Sequence, residues 1–138
     1  MKRIIKIMIL ISIMTLAIGC TNTSNKTNDK VMKVNITIID NTTDKELYNN
    51  ELDATGCNTL TELLNKYEKE LGYKGEKQEY GTVILGLKDA MSNMDKGPWW
   101  IYSSDNNEVC LKMGMCPSAD QTILNDKDNF VFTLTSEF

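Results

Sequence analysis

Polar and apolar side chains alternate with a period of two over residues 31–40. Because successive side chains of a strand point to opposite faces of a sheet, this alternation predicts a half-buried β-strand. The Asn, Thr and Asp side chains at 41–44 predict a turn. We expect a weaker second strand over residues 45–52, so the region begins with two strands.

The clearest helical pattern covers residues 58–71. Thr59 can act as the N-cap, and Glu62 three positions later completes a capping box. Gly72 is the expected end of the helix, because glycine readily adopts the left-handed conformation that closes a helix. Five apolar or aromatic side chains fall on one helical face: Leu60, Leu63, Leu64, Tyr67 and Leu71.

Three further strands are predicted in the second half of the chain. Residues 80–87 are largely apolar and bounded by glycines, residues 99–102 combine aromatic and β-branched side chains, and residues 130–134 are FVFTL. Aromatic and β-branched residues favour strands. The polar residues at 73–79 predict a loop, and residues 88–97 predict a polar connection.

A hairpin turn is predicted at the Asp-Asn-Asn sequence of residues 105–107. Residues 108–113 are then expected to return as the partner strand of residues 99–102. One main helix among several strands predicts an α+β fold, in which the helix packs on one face of a mixed or antiparallel sheet.

The N-terminus has the layout of a secretory signal peptide. Lys2, Arg3 and Lys6 precede an apolar stretch over residues 7–18, which is shorter than the roughly 20 residues of a spanning helix. A small residue followed by Cys20 resembles the bacterial lipobox. The resemblance implies a diacylglyceryl group on the Cys20 sulfur and cleavage before it. The alternative is an ordinary signal peptide in which Cys20 is incidental.

These features predict three segments. Residues 1–19 are the signal peptide of a lipoprotein, 20–30 a lipidated flexible tether, and 31–138 one globular domain. Residues 21–30 are polar except for the threonine methyl groups, and such a composition buries too little apolar surface to offset the entropy of ordering. We expect a lipid-anchored protein on the extracytoplasmic face of the cell membrane.

Charge narrows the range of partners. Three of the 15 basic residues precede Cys20 and all 19 acidic residues follow it, so the chain from Cys20 onward has 12 positive and 19 negative side chains, a formal charge of −7. An acidic domain is unsuited to a nucleic acid phosphate backbone, and it has no polybasic attraction for anionic lipid. We therefore expect no nucleic acid partner.

Two missing residue types limit the chemistry. The chain has no His, and its only Arg is Arg3. Nucleophile pairs that require His, zinc sites that require His and bidentate Arg clamps are therefore not available. We expect a protein that is not an enzyme, with no catalytic residues, no metal ligands and no covalent group besides the lipid.

Three cysteines remain when Cys20 carries lipid. We prefer a disulfide between Cys110 and Cys116, whose short loop contains Gly114, with Cys57 left free. The alternatives are a disulfide from Cys57 to either partner, three reduced thiols, or an intermolecular bridge.

An ordered set of segments resembles the transcobalamin-like C-terminal domain, a domain of unknown function called DUF4430. The set comprises the capped helix start at 59–64, the Tyr80-Gly81 step before 83–87, the paired aromatics of 99–102, Gly114 with its loop, and 124–128 ahead of 130–132. The resemblance covers about residues 31–135. It implies a β-grasp-like fold, and it implies binding of cobalamin or a related corrinoid. The helical barrel that accompanies this domain in transcobalamin and intrinsic factor has no counterpart in the chain.

The aromatic strand supplies the candidate ligand-binding residues. Trp100 and Tyr102 share one face of the predicted strand, and the resemblance favours them as the pair presented to a ligand, together with Tyr80. The alternative is that both faces of the strand are covered. Asp126 and Asp128 resemble a calcium-binding pair, but no longer acidic loop surrounds them, and we prefer a solvated turn.

The sequence favours capture of a small molecule outside the cytoplasm. The ligand expected from the resemblance is cobalamin or a related corrinoid, delivered to a vitamin importer in the membrane. The alternative is a cell-surface module for protein binding or adhesion, which would use a sheet edge or the aromatic strand.

Overall fold

The computed structural model describes residues 30–137. The predicted signal peptide, the lipid attachment site at Cys20 and the tether up to residue 29 lie outside this range. Within it, no helix has both the length and the apolar composition needed to cross a bilayer.

A four-stranded sheet forms the centre of the structure. Its strands are β1 (Lys33–Asp40), β2 (Lys45–Asp53), β6 (Trp99–Ser103) and β7 (Asn129–Thr135). They lie in the order β2-β1-β7-β6. Strands β1 and β7 pair in parallel and the other two pairings are antiparallel. The predicted α+β class and the mixed sheet are therefore confirmed.

The core lies between one face of this sheet and the helical segment. Alternate side chains of β1 and β7 are fully buried, as period-two patterns require. The apolar face of the helix packs in the same cluster. The fully buried apolar residues of these three elements are Val34, Ile36, Ile38, Phe130, Phe132, Leu60, Leu63 and Leu64.

The predicted helix is present as two consecutive segments, α1 (Leu60–Lys66) and α2 (Glu68–Leu71). Thr59 Oγ1 accepts a hydrogen bond from Glu62 N at 3.3 Å, as the capping box requires. The Glu62 carboxylate accepts from the amide of Asn58 at 2.6 Å. Gly72 ends the second segment with a left-handed φ of 58°.

A second, three-stranded sheet was not predicted. It contains β3 (Lys74–Gln78), β4 (Gly81–Leu87) and β5 (Ala90–Met91). The prediction of a loop over residues 73–79 is wrong, since most of this segment is β3. Four of its five residues are exposed, so the segment has no alternation to detect. Its backbone pairing with β4 makes it a strand.

Residues 108–113, predicted as a strand, form the helix α3 (Glu108–Met113). The Asn107 side chain caps it by accepting from the amides of Val109 and Cys110 at 3.1 and 3.2 Å. Gly114 ends it with a φ of 76°. The partner of β6 is instead the distant strand β7.

The disulfide Cys110–Cys116 joins α3 to the loop that follows it, as predicted. Cys57 is free and buried. Burial raises the pKa of the Cys57 thiol, which disfavours the reactive thiolate.

Tyr102 of β6 is partly buried and packs against the core. Its ring stacks on Phe132 with centroids 5.3 Å apart. Its hydroxyl donates to the carbonyl of Pro117 and lies 2.8 Å from Thr122 Oγ1. Burial raises the pKa of Tyr102 to about 12.

A buried polar contact connects α3 to the segment before β7. Asn107 is 0% exposed and Asp128 is 2% exposed. Asn107 Nδ2 donates to Asp128 Oδ2 at 2.6 Å and to the carbonyl of Ile123 at 2.8 Å. Asp128 Oδ2 also accepts from the amide of Asn125 at 2.8 Å. This one amide side chain therefore connects α3 to the segment before β7.

We expect Asn107→Ala to lower the free energy of unfolding by about 2–4 kcal/mol, because it removes a helix cap and one of the two donors to the buried Asp128 carboxylate. Urea denaturation followed by circular dichroism measures the change. Asn65→Ala is the control, because Asn65 is an exposed residue of α1 and alanine has the higher helix propensity. Equal midpoints for the two variants would contradict the assigned role of Asn107.

We expect the stability advantage of Tyr102 to disappear at alkaline pH. The neutral phenol is favoured in the folded state, because burial raises the pKa of Tyr102 to about 12 from its usual value of 10.0. Above pH 10 the unfolded chain loses this proton first, so stability falls as the pH rises from 10 to 12. Tyr102→Phe should show a shallower fall of the urea midpoint between pH 9 and 11.

The control for the alkaline experiment is Tyr80→Phe, because the Tyr80 side chain is 70% exposed. It should follow the wild-type pH dependence. A Tyr102→Phe variant with the same alkaline slope as the wild type would show that the buried phenol does not contribute to it.

Candidate functional site

The register of β6 places Trp100 and Tyr102 toward the interior. Trp100 is paired with Leu134 and Tyr102 with Phe132, and Trp100 is only 8% exposed. The Trp100 indole donates to the carbonyl of Ala90 at 3.1 Å. The prediction that Trp100 and Tyr102 form the exposed pair is therefore wrong, because the core side of β7 selects this face of β6.

The opposite face of β6 carries Trp99 and Ile101. Ile101 is exposed, and Trp99 is half-buried. The Trp99 ring lies against Gly97, where an added Cβ would approach its Cζ3 atom to 2.6 Å. Its indole donates to the carbonyl of Met94 at 3.4 Å.

Tyr80 lies on the surface between β3 and β4. Since Trp100 and Tyr102 point into the core, the three predicted ligand-binding residues do not share an exposed face. Aromatic side chains occur on both faces of residues 99–102, so the sequence could not show which face is buried.

A mainly apolar groove lies between α3 and the segment before β7. Its volume is about 470 Å³, within the range of about 300–1,000 Å³ that is usual for small-molecule sites. Met113 is 59% exposed and Ile123 is 49% exposed. The six lining residues are Glu108, Val109, Lys112, Met113, Ile123 and Asn125.

Two sets of contacts hold the walls of this groove. On one side, the Asn107 cap and the Cys110–Cys116 disulfide fix α3. On the other, Ile123 forms an isolated bridge with Thr59, and the amide of Leu124 donates to the carbonyl of Asn58 at 3.0 Å. The groove is therefore built on fixed elements.

The groove combines an apolar wall with a polar border. Val109 and Met113 are four residues apart on α3 and line the same wall. Glu108 and Lys112 carry opposite charges along the same helix and are exposed. Such a surface can hold a flat apolar molecule while hydrogen bonding to polar groups at its edge.

Sequence reasoning missed the groove because it assigned residues 108–113 to a strand. The helix signals were present, since Asn107 is a favoured N-cap residue and Gly114 a favoured C-terminal stop. The Asp-Asn-Asn sequence was instead taken as a hairpin turn, although the three residues lead into α3.

A second concavity, of about 390 Å³, is polar. Asp120 lies in it and accepts from the amide of Thr82 at 2.7 Å, and this hydrogen bond lowers the pKa of Asp120. Burial raises the pKa of Tyr73, and its hydroxyl is covered by protein atoms. The lining residues are Thr61, Asn65, Glu68, Tyr73, Gly75, Lys77, Thr82 and Asp120.

The acidic residues of the turn before β7 have structural partners. Asp126 Oδ1 accepts from the amide of Lys33 at 2.9 Å, while Asp128 is buried against Asn107. The prediction of a solvated turn is thus correct for Asp126, which is exposed, and wrong for Asp128. No group of three or more Cys, Asp or Glu side chains suited to a metal ion occurs in residues 30–137.

No protein-family model and no curated protein matches this chain. The resemblance to the DUF4430 domain therefore stays a prediction at the family level. Solved structures do match the fold.

One similar structure is a candidate metal-binding protein from Ruminococcus gnavus ATCC 29149. It has a TM-score of 0.61 and 28% sequence identity, and the match covers 78% of this chain and 99% of that protein. A second is haptocorrin, a transcobalamin-like protein, in complex with Cbi. Its TM-score is 0.62 with 14% identity over 80% of this chain, which spans about a quarter (26%) of haptocorrin.

The two matches have different weight. At 14% identity, the likeness to haptocorrin shows the fold alone. The R. gnavus protein is matched over nearly its whole length. The chain therefore has an α+β fold found both in a transcobalamin-like protein and in a bacterial protein of similar extent.

Proposed function

We propose that this chain is a lipid-anchored extracytoplasmic protein that captures a corrinoid, such as cobalamin, for a membrane importer. The observation that carries the proposal is the mainly apolar groove between α3 and residues 123–125. An apolar pocket with a few polar groups at its border is the usual form of a small-molecule site.

The chemistry of the groove suits a corrinoid. A corrin is a flat ring system with apolar faces and amide side chains around its edge. Met113 and Ile123 offer exposed apolar surface to such a face, and a methionine side chain adapts its shape easily. Glu108, Lys112 and Asn125 can donate to or accept from edge amides.

The comparisons support this choice of ligand. Haptocorrin is described in complex with Cbi, the abbreviation of the corrinoid cobinamide, and the described part of this chain has a similar fold. We carry the ligand over to the groove as a proposal. Trp100 and Tyr102 are not included in the site, because Trp100 is buried in the core and Tyr102 packs against it.

The point where the chain enters the domain supports the membrane role. Lys33 at the start of β1 lies beside the turn before β7, since its carbonyl accepts from the amide of Lys127 at 2.7 Å. Asn125 of the same turn lines the groove. Residues 20–30 can extend at most about 40 Å, so a lipid on Cys20 would keep the groove close to a membrane importer.

We expect the chain from residue 20 onward to bind cobinamide and cobalamin in isothermal titration calorimetry. Met113→Glu should weaken binding by at least about tenfold, because it puts a charge on the apolar wall. Tyr80→Ala is the matched control, since it also alters an exposed side chain but lies outside the groove. It should leave the affinity unchanged.

The outcomes of this titration separate the two candidate sites. No heat of binding at high micromolar ligand would contradict the corrinoid proposal. Binding that is lost in Tyr80→Ala and retained in Met113→Glu would move the site to the turn between β3 and β4.

We expect Cys20→Ser to release the protein from the membrane. The variant loses the sulfur that would carry the diacylglyceryl group, so it should leave the membrane fraction and no longer incorporate a labelled palmitate analogue. Cys57→Ser, which alters the buried thiol, should remain in the membrane fraction and be labelled. Equal labelling of the wild type and Cys20→Ser would contradict the anchor.

A cell-surface protein-binding role is the second candidate function. Leu111 and Met115 are exposed apolar side chains that do not line the groove, and exposed apolar patches often mark protein contacts. This role predicts that Leu111→Ser combined with Met115→Ser reduces retention of the purified chain by intact cells while corrinoid binding is unchanged. Unchanged retention would contradict it.

A further inference from the structure

The groove face of α3 has a charge pattern that is complementary to itself. Glu108 and Lys112 are both exposed, and the one salt bridge among residues 30–137 is Lys33–Glu51 at 3.2 Å. The two charges on α3 are therefore not neutralised by salt bridges within the described chain. Val109 and Met113 form an apolar stripe beside them.

We propose that two copies of this chain pair through the groove face of α3, in antiparallel orientation about a two-fold axis. An α-helix rises 1.5 Å per residue. An axis crossing between residues 110 and 111 places Glu108 of one copy within about one residue's rise of Lys112 of the other. The same axis places Val109 within about one residue's rise of Met113 of the second copy.

The symmetry doubles each of these contacts. In a two-fold interface the same patch is used by both subunits, so the pairing contains two Glu108–Lys112 ion pairs. Because the axis keeps each stripe on its own side, the charged stripe meets the charged stripe and the apolar stripe meets the apolar stripe. A parallel arrangement would instead bring like charges level with each other.

The size of the patch sets the strength of the pairing. Helix α3 has six residues and is about 9 Å long. The surface area that its face can bury is therefore well below the roughly 1,200 Å² buried in a stable interface. Each copy also carries a formal charge of −7 from Cys20 onward, which opposes association. The pairing should therefore be weak in dilute solution.

Attachment to one membrane would compensate for this weakness. The domain begins beside the groove, because the amide of Lys33 at the start of β1 donates to Asp126 in the turn before β7. Two copies joined at their grooves therefore have both entry points near the interface, and both lipids can reach the same bilayer. Confinement to a surface raises the effective concentration without any new contact.

The test uses the chain from residue 20 onward, coupled through Cys20 to a maleimide lipid in phosphatidylcholine vesicles. Cys57 is buried and the other two cysteines form a disulfide, so Cys20 is the accessible thiol. A carbodiimide, which joins a carboxylate to a nearby amine, should yield a covalent dimer. Mass spectrometry should find Glu108 joined to Lys112.

Charge reversal distinguishes this pairing from random contacts. Glu108→Lys and Lys112→Glu should each reduce the crosslinked dimer by at least about fivefold, because each brings like charges together and leaves two amines or two carboxylates, which a carbodiimide does not join. The double variant restores opposite charges in the same places and should return the dimer to the wild-type level. Lys69→Glu on α2, an exposed lysine away from the groove, should have no effect.

Two results would overturn the inference: a wild-type chain that forms no dimer on densely loaded vesicles, or a double variant that behaves like the single ones. Reversing these charges also opposes the helix dipole, so each variant is first checked for a wild-type circular dichroism spectrum. The pairing rests on the proposed lipid anchor and not on the proposed ligand, because the vesicles contain no corrinoid. Since both would use the groove face of α3, a second copy and a corrinoid would exclude one another. Failure here would leave the titration result unaffected.

Discussion

The buried hydrogen bond between Asn107 and Asp128 is the contact on which the groove depends. One amide side chain caps α3 and donates to both the carbonyl of Ile123 and the carboxylate of Asp128, which also accepts from the amide of Asn125. Burying a carboxylate without such donors is costly. The two walls of the groove are thus tied to one another through a polar group that is inaccessible to solvent.

The sequence predicted those elements whose burial follows a simple period. The alternation in β1 and the apolar face of residues 60–71 correspond to buried side chains in the structure. It did not predict β3, because a strand with exposed side chains has no such period and depends on pairing with β4. The sequence interpretation also assigned α3 to a strand, because residues 105–107 were taken as a hairpin turn although Asn107 is the N-cap of α3.

The candidate site was less predictable than the fold. The disulfide Cys110–Cys116 could be predicted from spacing, but the exposed face of β6 could not, because residues 99–102 are aromatic or apolar on both sides. Tertiary contact with Phe132 and Leu134 selects Tyr102 and Trp100 for the interior. The groove involves α3 and residues 123–125, which become neighbours only through long-range contacts.

The parallel pairing of β1 with β7 has a consequence for biogenesis. Strand β1 begins at residue 33 and its parallel neighbour β7 ends at residue 135, so the middle of the sheet cannot close until β7 has been synthesised. Contacts between distant residues also form slowly. The four-stranded sheet therefore stays incomplete while β7 is still within the ribosome.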